Sequence, residues 1–396
     1  MRHVWKSSHP LWLAPHRPFF LLAGLWGFFI PMAWFVPAGL IPEPVAWHRY
    51  EFVFGMGGAA VGGYLLTALP AWTGRGPIRP KVTRFLVALW LAGRLCTITE
   101  MPPPIAAIIA AGYFFALGGY LLSAVVRMRV KEKAHLAMMP LAFGMLALLL
   151  GLERHHAQHQ DLLRVSVLLF GLMMSLVGGR AIAAFTRRWL EGGERSGLLG
   201  SFSDPSWMSK GASIALLSSV LLGLADLLIP AGWLLITAGT LQLGRMRAWQ
   251  SWHTIRYPAL LILHLSWLWL SLGLMIVGSS YLIPVWISTA TALHAVTMGA
   301  MGTMMLAMMA RASMTRGSTR LLVSLKLMIS YALVSVSVPV RLVVPYVEQH
   351  AQAGALSVAL ILWSGGWILF VWDLRKALRG PVLRPVLSMS GRPDLA

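Results

Sequence analysis

Acidic side chains are scarce in this sequence, 13 among 396 residues, and charged residues of both signs make up only 12%. A soluble domain carries about a quarter charged residues, so a water-exposed globule of this length is excluded. Cysteine occurs once, as Cys96, which excludes an internal disulfide, a CxxC redox pair and a cysteine-built metal cluster. There is no Walker A loop, CxxCH haem attachment, HExxH pair or GxSxG elbow. ATP-driven transport and hydrolase chemistry therefore have no motif behind them.

What is present is apolar: 57% of residues, with a mean hydropathy of +0.70. A membrane span needs about 20 such residues. Twelve stretches qualify: 19–41, 45–69, 82–99, 105–127, 134–152, 162–185, 211–229, 231–250, 258–278, 282–310, 320–345 and 355–372. The expected fold is an all-α membrane bundle of about twelve helices, one integral membrane domain over 1–396. Pro230 marks the weakest division, where two helices might instead be read as one broken helix. The loop 186–210 reads as a flexible cytoplasmic connector, and 375–396 as a loosely ordered cytoplasmic tail. The start, MRHVWKSSHPLWLAPHR, reads as a polar, basic segment before a full span and not as a cleavable leader.

The net charge of +20 and pI near 11.2 invite a nucleic-acid reading, but the distribution opposes it. Of the 33 Lys and Arg, all but seven fall at the N-terminus, in every second loop or in the tail. The exceptions are Arg49, Arg154 and Arg164 in intervening loops, and Arg94, Arg180, Lys326 and Arg341 within expected helices. The positive-inside rule then puts both termini in the cytoplasm. A nucleic-acid partner would need a folded basic domain, and no loop is long enough for one. Contact of the basic loops with membrane lipid is expected.

Ionisable groups inside lipid are costly and mark candidate sites. His48 and Glu51 are three apart and share a helix face that continues through Gly55, Gly58 and Gly62. That face suits either a flat ligand, with His48 as metal or haem ligand, or close packing of another helix beneath an interfacial His–Glu pair. His294 falls in the expected tenth span, with Met298, Met301, Met305 and Met308 following on its face. Those thioethers are either copper ligands or gap-filling core. His264 lies in the ninth span, and on expected helix limits it differs from His294 in depth by about 5–8 Å. The two imidazoles either grip one haem iron, serve separate metals, or bond to backbone and hydroxyl groups. Arg94 and Arg341, near the outer ends of their helices, either clamp haem propionates or snorkel to the interface. His155, His156 and His159 form an outer-loop cluster with metal-binding potential.

Several stretches together resemble the NnrS family of bacterial inner-membrane proteins linked to nitric oxide and nitrosative stress. They are PHRPFFLLAGLWG (15–27), WHRYEFVFGMGGAAVGGYLLTALPAWTGR (47–75), LWLAGRL (89–95), GGRAIAAFTRRWL (178–190), ILHLSWLWLSLGL (262–274) and ALHAVTMGAMGTMMLAMMARAS (292–313). The resemblance implies a twelve-helix protein holding haem b, with copper as a second metal, and a role in nitric oxide tolerance. It carries the helix-2 motif onto His48 and Glu51 and the late histidines onto His264 and His294. Two departures stand out: Tyr50 occupies the second histidine of the family's WHxHE pattern, and TRGSTR replaces an HTGR-like run. Haem is thus the firmer implication. The expected site is a haem between helices 2, 9 and 10. The competing readings are a secondary transporter and an assembly factor for a respiratory complex.

Overall fold

The computed structural model describes residues 9–382 except 38–39, 42, 75, 100, 153–158, 192–196, 198–199 and 318–319, and also 384 and 386–387. Apolar runs of span length, broken by Pro, Gly and charge, become helical rods. These are α1 (His16–Trp34), α2 (Pro44–Thr73), α3 (Pro80–Thr97), α4 (Pro103–Arg127), α5 (Lys131–Leu152) and α6 (Asp161–Leu190). There follow α7 (Ser206–Leu224), α8 (Leu228–Ala248), α9 (Pro258–Leu282), α10 (Thr289–Ala310), α11 (Leu325–Tyr346) and α12 (Gln349–Arg379). Among the described residues, ten rods are apolar and long enough to cross a membrane. The other two, α3 and α8, have 18 and 21 residues and carry Lys81, Arg84 and Arg94, and Arg245 and Arg247, respectively. Among the described residues, strand is confined to a pair of two-residue strands, Thr315–Arg316 with Leu321–Leu322.

Several boundaries differ from expectation. The break near Pro230 falls instead at 225–227, where Asp226 adopts a left-handed φ of 58°; Pro230 sits in the first turn of α8, where its missing N–H costs nothing. The connector 186–210 shortens because α6 runs to Leu190 and α7 starts at Ser206. Helix α12 continues to Arg379, so the first part of the expected tail is helical. Of the outer-loop histidines, His155 and His156 lie outside the described residues.

The chain forms two compact units, where one membrane domain is the simplest expectation from sequence. One comprises Met1–Ser166 and Val371–Val386, the other Val167–Phe370 and Leu387–Ala396. In the first, α1 packs on α2 and α4 packs on α5. Gly63 admits the ring of Phe20 and the Cβ of Phe19, and Gly151 admits Ala107. In the second, α9 lies between α8 and α10. Gly232 and Gly278 face each other across the α8–α9 seam, and Gly239 faces the Ser271 carbonyl. Such small-residue seams let helix backbones approach where lipid supplies no hydrophobic drive. A Cβ at Gly239 would come 2.6 Å from Met275 Cγ and against the Ser271 oxygen. Gly239→Ala should therefore lower stability by about 1–3 kcal/mol through overpacking, read as a lower melting temperature in detergent. Outward faces are apolar, with exposed Ile108, Leu221, Ile229 and Ile361, as lipid contact demands.

Three rods contain π-helical stretches: Glu51–Gly57 in α2, Met174–Gly178 in α6 and Ala295–Gly302 in α10. A π-turn widens the helix and detaches carbonyls from the regular ladder, and such turns concentrate at functional sites. Each of the three lies beside polar side chains inside the membrane-like region.

Candidate polar and cofactor sites within the helices

In the first unit, the π-turn of α2 opens on Glu51, whose side chain is fully buried. Trp26 Nε1 donates to Glu51 Oε2 at 2.6 Å, and Thr97 Oγ1 lies 2.9 Å from Oε1. Arg94 Nε stands 3.1 Å from Oε2 as a charge contact outside hydrogen-bond angles. The guanidinium is flanked by the rings of Tyr50 and Trp90, at 5.7 and 5.6 Å. Carbonyls within and just after the π-turn are recovered by side chains: Trp90 Nε1 donates to Gly55 O and Tyr113 Oη to Gly58 O, both at 2.9 Å. This satisfies the backbone in a medium without water.

The glycine face receives protein side chains: Gly55 lies under Trp26, Gly58 against Phe114 and Gly62 against Tyr113. It is a packing seam for aromatic rings. Arg94 stands against Glu51 and is buried at 3% exposure. Tyr50 covers Arg94 and packs on Phe54 at 4.7 Å. His48 is half-buried, its ring 5.8 Å from that of Trp34.

In the second unit, His264 is buried and both ring nitrogens meet hydroxyls at 2.8 Å, Nε2 with Thr186 and Nδ1 with Ser251. Ser251 spends its proton on Met246 O at 2.7 Å. Its oxygen must therefore accept, which places the imidazole proton on Nδ1 and leaves Nε2 to accept from Thr186. A second network adjoins it. Gln242 Nε2 donates to Ser175 Oγ at 2.6 Å beside the π-turn of α6, and Gln242 Oε1 accepts from Arg245 at 3.2 Å. Arg245 pairs with Asp204 at 3.2 Å between the rings of Trp249 and Trp267, at 4.7 and 5.0 Å. The edge of Trp249 faces His264, with centroids 6.1 Å apart.

His294 lies elsewhere in this unit. Helix α10 starts at Thr289, where Ser288 caps it by accepting from Thr291 N, and not near 282 as the apolar run suggests. Helices α9 and α10 run antiparallel, with Ser280 beside Thr289, Gly273 beside Val296 and Ser266 bonded to Met304 Sδ. In that register His294 stands level with residue 275, so about 16 Å of helix separates its level from that of His264. The two imidazoles do not flank one iron. The π-stretch Ala295–Gly302 also resets the helical phase: Met301, Met305 and Met308 are buried, whereas His294 and Met298 are half-buried.

His294 and Arg341 lie on helices that touch. The first turns of α10 contact α11. His294 is five residues from the start of α10, and Arg341 is five residues from the end of α11. His294 Nδ1 lies 2.7 Å from Ala290 O. A carbonyl can only accept, so Nδ1 carries the proton and Nε2 the lone pair, the form in which histidine binds a metal. Arg341 is half-buried and makes no ion pair with a described residue.

Sequence reasoning missed Trp26, Thr97, Thr186, Ser251, Gln242 and Asp204. Gln242, an amide inside a span, was the one with a readable signal, because lipid penalises it unless it is bonded. Among the described residues, no group of three or more His, Cys, Asp or Glu gathers in a metal-holding arrangement.

These helices and their buried polar networks define a multi-pass helical membrane protein. The family model for NnrS protein matches residues 10–381, and the chain belongs to that family. No curated protein matches the chain.

Proposed function

We propose that this chain is a haem b-binding protein of the bacterial inner membrane that acts in tolerance of nitric oxide, with twelve spans and both termini in the cytoplasm. Membership of the NnrS family supports the role. The observation that carries the site is the tautomer of His294, fixed by the Ala290 carbonyl, on a helix whose first turns contact the helix of Arg341. His294 would hold the iron through Nε2, and Ala290 would keep the ring oriented. Arg341 would pair with a propionate by charge-assisted hydrogen bonds. Haem iron, when bound, supplies direct affinity for nitric oxide. His264 fits the iron poorly, because its accepting nitrogen is already engaged by Thr186.

Copper fits the residues of helix α2 less well. Tyr50 replaces a family histidine, and its ring covers Arg94. The reading therefore contains haem without copper at this position.

Protein purified in detergent from haem-replete cells should show a Soret band that moves when nitric oxide is added. A colourless, folded protein would overturn the reading.

A further inference from the structure

Arg311 follows directly on α10, outside the span, and its side chain is only 6% exposed. Nε donates to Leu387 O at 2.6 Å and Nη1 to Ala259 O at 3.5 Å. The Phe185 ring covers the guanidinium face, its centroid 3.9 Å from Cζ. Among the described residues, no carboxylate pairs with Arg311 and its Nη2 makes no hydrogen bond. A buried cation held only by carbonyls and a ring is incompletely compensated. Burial accordingly pulls this guanidinium down to about 10.

A second donor lacks an acceptor nearby. Tyr257 Oη accepts from Leu321 N at 2.9 Å, and its own proton is given to no described residue. The Leu321 bond brings the neighbouring Arg320 backbone beside the Tyr257 hydroxyl, and Arg311 reaches Ala259, two residues on from Tyr257. Tyr257 precedes α9, Arg311 follows α10 and Arg320 borders the short strand pair, all at the basic end of the helices. Two cations and a phenolic O–H thus come from one stretch of the fold, and among the described residues neither cation pairs with an acid.

We propose that Arg311, Arg320 and the Tyr257 hydroxyl bind a phosphate group, that of one anionic phospholipid headgroup. Arginine forks match phosphate oxygens, and the boundary level of these residues is where lipid phosphates reside. The site differs from diffuse attraction to basic loops in depending on named, partly buried donors.

The test measures the melting temperature of the detergent-purified full chain with phosphatidylglycerol, phosphatidylcholine or inorganic phosphate added. Phosphatidylglycerol should raise it by several degrees, and phosphatidylcholine by much less. Arg311→Gln should remove the increment, and Arg320→Gln and Tyr257→Phe should each reduce it. Lys131→Gln, at the start of α5 in the other unit, should keep it. Should Arg311→Gln fail to fold, the exposed Arg320→Gln and the conservative Tyr257→Phe decide the matter. Equal shifts with the two lipids, or an undiminished phosphatidylglycerol shift in both of those variants, would overturn the proposal. A full shift from inorganic phosphate alone, still lost in the variants, would retain the site and assign it to soluble phosphate. None of these variants should alter the Soret band, which separates this test from that of haem binding.

Discussion

Arg94→Ala should destabilise the protein by about 3–5 kcal/mol, because it strands a buried carboxylate that has lost its counter-charge. Glu51 has no exposure to fall back on, and its remaining donors, Trp26 and Thr97, are neutral. The expected readout is a large fall in melting temperature and in the yield of monodisperse protein. Glu51→Gln combined with Arg94→Gln should recover much of the loss, since it removes both charges and keeps hydrogen-bonding groups in place. A double variant as unstable as Arg94→Ala would show that packing between the Tyr50 and Trp90 rings matters more than charge.

Replacing the two late histidines should have opposite consequences. His264→Ala removes the partner of Thr186 and Ser251 inside a packed region, which costs about 1–3 kcal/mol for hydroxyls left short of a partner. It should lower the melting temperature and leave the Soret band in place. His294→Ala touches a half-buried ring, one of whose bonds is to the Ala290 carbonyl of its own helix. It should leave the melting temperature of haem-free protein nearly unchanged and abolish the Soret band. The pair therefore assigns one histidine to architecture and one to the cofactor, a division that equal effects on colour would contradict.

The spans were legible because lipid imposes a crude rule, about 20 apolar residues per crossing. That rule found α2 and α9 in nearly their observed extent. It failed at the start of α10, because 282–288 is apolar enough to count while the helix waits for the Ser288 cap. That error, and the phase change in Ala295–Gly302, led to the mistaken depth match between His264 and His294. A π-turn leaves no periodic mark in sequence, since its cause is the set of side chains that recover the freed carbonyls. Glu51 and Arg94 stood out singly as costly charges, but their pairing joins α2 to α3 and could not be read from spacing. Nor could the link from Trp26, which lies in a third helix. The glycine face of α2 was readable as a seam, and only the fold identified aromatic rings as what fills it.

The central claim, that His294 holds a haem iron, is tested most directly by haem content in a cavity variant. The pyridine haemochrome assay on purified wild-type protein should return about one haem for each binding histidine. His294→Gly should return essentially none, and His294→Gly purified and loaded with haem in excess imidazole should regain it. Undiminished haem in His294→Gly without imidazole would contradict the account.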